Sequence, residues 1–557
     1  MLREGWQVSE WARGFDAREV VLAAALALLL VLVAYPASLV LLKALPWSNY
    51  LDLAADPLAR RALLNTLYVG GAVTLLATLL GVATAFLLTR TDLPLKGVLR
   101  ALIFLAFITP AYIGAVAWIQ LLGRSGYVTT LLVDAFDLSA PPIRLYSLEG
   151  LIAVMGVHLY PLVFLAASNA LSITDPSLEE AAAASGATQL TVLLTVTLPL
   201  ALPAILSAAV LAFVQAIACF GVAAVIALPT GHYVLTTRIY TALGHYDVRM
   251  ACALSVVLVL LAGASIAVHN TLLRGRRYTV ATAESRKPGL IKLGRWRLPI
   301  AAVLLLFLIA TTVLPLATIV LTSFLKAWGL RPALGNLTLG NYAKMASEGL
   351  TARAMRNSLA FAAGGATVAA LIGLVVSYIS VRTRMPGRKA LDLLATMPLA
   401  IPGPVLATAM ILAWMNPPLR LYNTPWIILV AYVVAFTPHA VRNVSGVIKG
   451  MDPALEEMGW MSGASWARTM RDITVPLIGR GLWAGWILVF LMAFREIPIS
   501  TMLYTQGTET VGVLLFTLKS DVGGMEVVSA VAVTVVAITL IGQLLVEKLG
   551  MRRAWLL

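Results

Sequence analysis

The residues of this sequence that could act on another molecule are concentrated in a polar, glycine-punctuated segment that occurs twice. The first copy runs from Asp175 to Pro199 and the second from Asp452 to Pro476. Matching residues lie 277 positions apart (175 and 452, 186 and 463, 199 and 476). An Asp-Pro pair is typical of a helix start, and Gly permits a sharp turn. Each copy is therefore predicted to form a short helix, a turn and a second helix, which can dock in a groove on a partner protein. The alternative is a plain amphipathic linker at the membrane interface. Pro199 and Pro476 are predicted to mark re-entry into the next span.

The sequence lacks the motifs of common enzymes and metal sites. It has no Gly-x-x-x-x-Gly-Lys-Ser/Thr loop to cradle a nucleoside triphosphate and no His-Glu-x-x-His zinc motif. The five His residues are scattered, and the two cysteines, Cys219 and Cys252, lie in or beside apolar runs without other ligands nearby. We therefore expect a non-enzymatic protein with no cofactor of its own, and the sequence identifies no metal site.

Three ionisable residues in or beside apolar runs are candidates for a translocation path. Arg495 and Glu496 lie about 15 residues into their run, roughly 22 Å from its inner end at about 1.5 Å per residue. Charged groups at that depth usually face a bundle interior or a water-filled path. Adjacent residues do not share a helix face, so Arg495 and Glu496 are not both expected to line the path. The hypothesis is that Glu496 faces the translocation path near the outer gate, and Arg495 and Arg238 are further candidates. The alternative is a helix-end pair near Pro498 that is held by neighbouring polar groups.

The elements that must position these residues are membrane-spanning helices. Of 557 residues, 60% are hydrophobic and 12% are charged, whereas soluble domains are about half apolar and about a quarter charged. A span needs about 20 apolar residues, and twelve such runs fit. We predict an all-α polytopic membrane protein with helices near 20–44, 63–89, 98–122, 150–172, 203–228, 249–272, 298–324, 357–381, 390–415, 425–443, 481–504 and 527–547.

Basic loops predict the orientation of the chain in the membrane. Residues 273–297 carry eight Arg or Lys and one acid, and residues 382–389 carry four basic residues and no acid. Cytoplasmic loops are enriched in Lys and Arg, so twelve spans place both termini and both motif copies in the cytoplasm. These loops also account for the net charge of +15 without nucleic acid as a partner. The first apolar run is predicted to be a retained helix rather than a cleaved signal.

The duplication extends beyond the motif. Further matching pairs lie 292 positions apart. Asn65 and Asn357 are predicted to open the second helix of each half, Arg90 with Pro94 and Arg382 with Pro386 to close it, and Pro110 and Pro402 to interrupt the third helix. The first half therefore holds 15 more residues between its third helix and its motif, which we place in an outer loop near 123–148. Both halves begin on the same side of the membrane, as in a parallel repeat. The predicted halves are residues 1–285 and 286–557.

The loop Glu180-Ala-Ala-x3-Gly186-x9-Val196-x-Leu198-Pro199 resembles the EAA loop of permease subunits of type I binding-protein-dependent ABC importers. The second copy, Glu457-Met-Gly-x3-Gly463-x9-Ile473-x-Val475-Pro476, differs at the two small positions and keeps Glu, Gly, Ile and Pro. The resemblance covers nearly the whole chain, as a fused two-permease polypeptide. It implies a bacterial inner membrane protein whose two loops are coupling helices, each seated in one of two cytoplasmic ATPase subunits that bind the ATP. It also implies a periplasmic substrate-binding protein on the outer side. The residues it assigns to coupling are Glu179, Glu180, Ala181, Ala182, Gly186, Pro199, Glu456, Glu457, Gly463 and Pro476.

Four further segments resemble the fused permeases for ferric iron. They are 213–221, 233–240 with Asp247, 490–498 and 507–510. One position departs from that group, because Cys219 stands where an acidic residue would precede Phe220-Gly221. The resemblance implies ferric iron as the cargo, with thiamine, polyamine and phosphonate as open alternatives. A gradient-driven secondary transporter is the alternative of a different class, although such proteins often carry buried acids and the apolar runs here contain few.

Overall fold

The structure is a computed structural model that describes residues 17–173, 176–272, 289–330, 333–347, 349–520 and 524–549. These residues are almost entirely helical and include two isolated β-bridges but no β-strand. Ten helices are long and apolar enough to cross a membrane, and two bent helix pairs bring the number to twelve if each is one span. The prediction of an all-α polytopic membrane protein is confirmed.

The spans are numbered here in chain order, with each bent pair counted as one. They are Glu19–Ala44, Pro57–Arg90, Lys96–Ile108 with Ala111–Phe136, Leu148–Ile173, Gln189–Ala218, Val248–Thr271, Gly294–Ser323, Gly349–Arg382, Arg388–Ala400 with Gly403–Trp414, Pro425–Lys449, Trp466–Phe494 and Met525–Lys548. Shorter helices connect them or cover their ends: Trp47–Ala55, Pro176–Ala184, Gly221–Ile226, Leu235–Gly244, Gly340–Ser347, Ala454–Met461, Pro498–Leu503 and Val511–Ser520.

The two halves are interlocked through their first spans. Spans 2, 4 and 5 pack together in one half, and spans 8, 10 and 11 pack together in the other. Span 1 packs on span 6 and also crosses to span 9, while span 7 packs on span 12 and crosses to span 3. The largest cluster of buried apolar side chains accordingly draws from both halves. The predicted boundary between the halves falls at 285 and 286, outside the described residues, and stays a prediction.

Proline breaks spans 3 and 9, as the sequence predicts. The helix axis turns by 103° before Pro110 and by 115° before Pro402. Thr109 and Ile401, which precede the two prolines, are extended, because the proline ring disfavours a helical conformation in the residue before it. The extra length of the first half lies beyond the first of these breaks, where the helix Tyr127–Phe136 is found.

The predicted bounds of spans 5 and 11, 203–228 and 481–504, are wrong at both ends. The structure places these spans at Gln189–Ala218 and Trp466–Phe494. Pro199 and Pro476, which we expected to mark the entry into the spans, lie inside continuous helices. A π-helical turn precedes each proline, at Leu193–Thr197 and Met470–Thr474, and such a turn re-satisfies the backbone around the missing N–H.

The starts of spans 2 and 8 are also earlier than predicted. They begin at Pro57 and Gly349, so Asn65 and Asn357 lie about two turns inside their helices rather than at the start. The first turns carry Arg60 and Arg353, and a search for apolar runs stops at such charges although the helix continues.

Candidate functional sites: two docking loops and a central cavity

The two motif copies have the same local structure. Each contains a short helix, called here the first motif helix (Pro176–Ala184) and the second motif helix (Ala454–Met461). Each helix is followed, two residues after its end, by a glycine with positive φ, 87° at Gly186 and 82° at Gly463. A Cβ at either glycine would meet no neighbouring atom, so it is the left-handed backbone that favours glycine here.

The start of the second motif helix is capped as the sequence predicts. The Ala454 N–H donates to Asp452 Oδ1 at 3.0 Å. Asp175, the corresponding residue of the first copy, lies outside the described residues.

The first glutamate of each pair is turned toward the spans. Glu179 pairs with Arg90 of span 2 and accepts a hydrogen bond from the Thr197 hydroxyl at 2.6 Å. The arginine also donates to the Leu171 carbonyl near the end of span 4 at 3.4 Å. We call this group the first anchor. It joins the motif helix to spans 2, 4 and 5.

The second half repeats this arrangement with equivalent residues, here called the second anchor. Glu456 is buried, lies 3.5 Å from Arg382 Nε and accepts from the Thr474 hydroxyl at 2.7 Å. Arg382 Nη2 donates to the carbonyls of Ile448 and Met451 at 3.0 and 2.6 Å. Carbonyls at a helix C-terminus favour a cation there, so each arginine binds a helix end and a carboxylate together.

Sequence reasoning recognised the arginines only as members of the repeat and missed the threonines. Arg90 and Arg382 are 292 positions apart, and Thr197 and Thr474 are 277 apart. The same intervals that relate the two motifs therefore contained the signal.

The second glutamates and the adjacent positions face away from the spans. Glu180, Ala181 and Glu457 are exposed, and Ala182 is half-buried. Pro199 is half-buried and Pro476 is exposed, each within its span. The outward side of the motif helices is therefore available for contact with another protein.

The outward surface of the second motif helix is the more apolar of the two. Met458, Trp460 and Met461 are exposed there, with Met461 at 89%. Gly459, the counterpart of Ala182, lies on the buried side, where a Cβ would come within 2.7 Å of Ile473 Cδ1. This close approach explains why the second copy departs from the Ala-Ala pattern.

A cavity of about 1490 Å³ lies between the two halves. Its lining extends from exposed residues at the motif-side ends of spans, Asp392 and Lys449, to the breaks at Pro110, Cys219 and Glu496. The cavity thus runs from the face that carries the motif helices into the interior of the bundle.

Two of the three predicted path residues, Arg495 and Glu496, line this cavity. They lie in the break beyond span 11 rather than inside a helix. The Glu496 carboxylate caps the helix Pro498–Leu503, accepting from the N–H groups of Ile499 and Ser500 at 2.6 and 2.9 Å and from the Ser500 hydroxyl at 2.6 Å. Arg495 Nη1 donates to the Ile108 carbonyl at 3.2 Å. Glu496 therefore has the contacts of a helix-end group and is also part of the cavity wall.

The structure places Arg238 away from the cavity. Its Nη2 donates to Asp56 Oδ2 at 2.7 Å, and Asp56 caps span 2 by accepting from the Leu58 N–H at 2.8 Å. Burial alone would raise the pKa of the Asp56 carboxyl, but the hydrogen bonds from Arg238 and the Leu58 N–H hold it below its usual value. Arg238 thus closes an ion pair at the start of span 2.

Aromatic side chains from both halves meet beside the cavity. Phe220, which lines it, packs on Tyr240 and on Phe516 of the second half with ring centroids 5.3 and 5.9 Å apart. Tyr112 adds a second link, because its hydroxyl donates to the Leu515 carbonyl at 2.7 Å. These contacts join the two halves beside the cavity.

No group of three or more His, Cys, Asp or Glu able to hold a metal ion occurs among the described residues.

Comparison with known proteins matches both halves to one family. The model of the family described as binding-protein-dependent transport system inner membrane component matches residues 77–275 and 369–554. The chain is 27% identical over 454 residues to the putative ferric transport system permease protein FbpB 1 of Haemophilus influenzae, covering 80% of this chain and 71% of that protein. It is 28% identical over 527 residues to the probable ABC transporter permease protein y4fN of Sinorhizobium fredii, covering 90% of each. It is also 27% identical over 241 residues to the putative 2-aminoethylphosphonate transport system permease protein PhnV of Salmonella typhimurium, covering 43% of this chain and 89% of that protein.

Proposed function

Because this chain belongs to the family of binding-protein-dependent transport system inner membrane components, we propose that it forms the complete translocation path of an ATP-driven importer. The family match occurs twice, so both permease halves are fused in one polypeptide. The observation that carries the proposal is the duplicated motif helix, anchored inward by an Arg–Glu pair and exposed outward. Membership of this family also sets aside the gradient-driven secondary transporter considered from the sequence.

The partners that we propose are two copies of a cytoplasmic ATPase subunit, one on each motif helix. The chain has no nucleotide-binding loop of its own, so ATP would be bound and hydrolysed on these partners. An exposed helix with apolar side chains is suited to docking in a groove. The chain would lie in the bacterial inner membrane with both termini and both motif helices on the cytoplasmic side, and a periplasmic binding protein would deliver the cargo to the opposite side.

The proposed mechanism is alternating access. In this structure the cavity extends to the motif-bearing face. With the motif helices on the proposed cytoplasmic side, this would be an inward-facing state. Closure of the ATPase subunits would push both motif helices. The anchors would pass the push to spans 2, 4 and 5 and to spans 8, 10 and 11, which the same arginines and glutamates hold together. The halves would then separate at the aromatic contacts of Phe220 and Phe516 and admit the cargo from outside.

The coupling role is tested by replacing Gly186 and Gly463 together with proline. Proline requires φ near −65°, whereas these glycines have φ of 87° and 82°. We expect loss of ATPase co-purification and of uptake. The matched control is Gly231→Pro, the same change at a glycine with φ of 75° outside the motif. Normal co-purification and uptake in the double variant would show that the motif helices are not the coupling elements.

For the cargo we propose ferric iron, which is supported by the ferric permease relative that matches 80% of this chain. A phosphonate is the second candidate, supported by the half-length relative described as a 2-aminoethylphosphonate permease. The test is uptake of radiolabelled iron and of radiolabelled 2-aminoethylphosphonate by cells with and without this chain. Iron uptake that does not change on deletion would refute the first candidate.

A further inference from the structure

The charges on the cavity wall are unevenly distributed in depth. Asp392 and Lys449, one acidic and one basic residue, are both exposed on the lining at the motif-side ends of their spans. Arg442 lies seven residues before Lys449 on span 10, about 10 Å deeper at about 1.5 Å per residue, and Arg495 lies at the break beyond span 11. Within the described chain, every ion pair involves other residues, so no carboxylate lies within 4 Å of either arginine.

The single carboxylate on the deep part of the wall is already engaged. Glu496 accepts two backbone N–H groups at the start of the helix Pro498–Leu503 and one hydroxyl. A helix N-terminus carries partial positive charge that compensates a carboxylate placed there. The deep cavity therefore presents two guanidinium groups whose charge no free acid balances. Guanidinium groups bind carboxylate, phosphate and phosphonate oxygens particularly well, because their N–H groups match the spacing of two oxygens.

The duplication shows that the fold does not need these two charges. The positions equivalent to Arg442 and Arg495, 277 residues earlier, hold Leu165 and Ala218. The first half forms the same spans with these apolar residues. Charged side chains at membrane depth are costly and are commonly found where a water-filled path or substrate requires them. Arg495 also donates to the Ile108 carbonyl, a neutral partner that leaves its charge unbalanced. The charges of the two arginines therefore require an explanation outside packing.

We propose that the cargo crosses this cavity as an anion. It would be either a free oxyanion, such as a phosphonate, or a ferric ion inside a complex whose oxyanion ligands give it net negative charge. The proposal rests on the proposed importer function and adds the chemical class of the cargo. A bare ferric cation would meet two like charges in a site where Coulomb interactions are stronger than in water, and the described residues include no group of three His, Cys, Asp or Glu to hold it.

The chain contains a cysteine whose reactivity can report the electrostatic potential in the cavity. Cys219 lines the cavity, and Cys252, the other of its two cysteines, is buried. In the purified full chain carrying Cys252→Ser, we would compare the reaction of Cys219 with an anionic reagent, sulfonatoethyl methanethiosulfonate, and a cationic one, trimethylammonioethyl methanethiosulfonate. Each rate is divided by the rate of the same reagent with a free thiol in solution. Clefts of one charge raise the encounter rate of opposite charges by about 10-fold to 1000-fold.

We expect an anion-to-cation rate ratio of about ten or more at low ionic strength, falling as salt screens the charge. Arg442→Gln should lower the ratio severalfold. Arg480→Gln is the matched control, since it removes one positive charge from an exposed position of span 11 outside the cavity lining. The salt dependence of the rate ratio in the chain with both native arginines tests the proposed positive charge of the cavity even if Arg442→Gln does not fold.

Protection of Cys219 identifies the form of the anion. Inorganic phosphate, 2-aminoethylphosphonate, citrate and ferric citrate are tested at equal ionic strength. Protection by phosphate, phosphonate or citrate indicates a free oxyanion, and protection by ferric citrate but not by citrate indicates a ferric complex. A rate ratio of one or less, or no protection by any of these anions, would overturn the proposal. The measurement needs neither ATPase nor binding protein, so it can fail while the importer function holds, and the glycine-to-proline test can fail while the cavity selects anions.

Discussion

The second anchor offers a direct test of how the motif helix is held to the membrane domain. In Glu456→Gln, Arg382 keeps its hydrogen bonds to the Ile448 and Met451 carbonyls but loses its carboxylate. Removing one member of a buried ion pair costs about 3–5 kcal/mol, and the retained bonds favour the lower end, about 3 kcal/mol. At about 1.4 kcal/mol per factor of ten, the undocked population of the second motif helix should rise by about a hundredfold.

The assay is hydrogen–deuterium exchange of the full chain, read on peptides that contain residues 454–461. Local opening governs exchange there, so we expect Glu456→Gln to speed it by up to about 100-fold while span 10 is unaffected. Glu457→Gln is the control, because the adjacent glutamate is exposed. Adding Arg382→Met to Glu456→Gln should recover part of the protection, since the buried charge left unpaired is then also removed. Exchange that is equal in Glu456→Gln and Glu457→Gln would refute the anchor.

Three further predictions follow from single side chains. Gly463→Ala should destabilise the second loop by about 1–2 kcal/mol, because it forces a residue with a Cβ into left-handed backbone. Gly450→Ala, at a helical φ of −79°, should not destabilise it. Hydrogen–deuterium exchange of the loop amides measures both variants. Met461→Ala should weaken ATPase binding by about 1–2 kcal/mol if this exposed side chain is buried in the complex. At about 1.4 kcal/mol per tenfold, this range corresponds to a change in Kd of about five- to thirtyfold. Titration of the ATPase subunit in detergent would detect it. Glu496→Gln should lower thermal stability by about 1–3 kcal/mol through a weakened helix cap and leave the KM of uptake unchanged; an altered KM with unchanged stability would instead assign the carboxylate to the cargo.

The sequence predicted those parts of the fold that depend on local composition. The length of apolar runs indicated the spans, and Pro110 and Pro402 marked the two breaks because proline acts on its immediate neighbours. The same local reasoning failed at Pro199 and Pro476, where a π-helical turn lets the helix continue. A proline alone does not distinguish a break from such a turn.

The parts of the site that depend on long-range contacts could not be predicted. Arg90 and Glu179 are 89 positions apart, and no local pattern indicates that they meet. Arg238 and Glu496 looked alike in the sequence, as charges in or beside apolar runs. The structure separates them, since Arg238 pairs with Asp56 while Glu496 caps a helix on the cavity wall.

The two halves differ in what they preserve of the duplication. The anchors are equivalent residue for residue, from the arginine to the threonine. The cavity wall is not, because Leu165 and Ala218 stand at the positions of the first half that match Arg442 and Arg495. The proposed push from two ATPase subunits would have to act on both halves if they are to rock together, and this requires equivalent anchors. Recognition of a small cargo needs only one wall to carry the charges, so the second half can hold them while the first stays apolar. The division between symmetric anchors and an asymmetric wall is therefore the arrangement expected of a fused importer in which both halves move and one half selects.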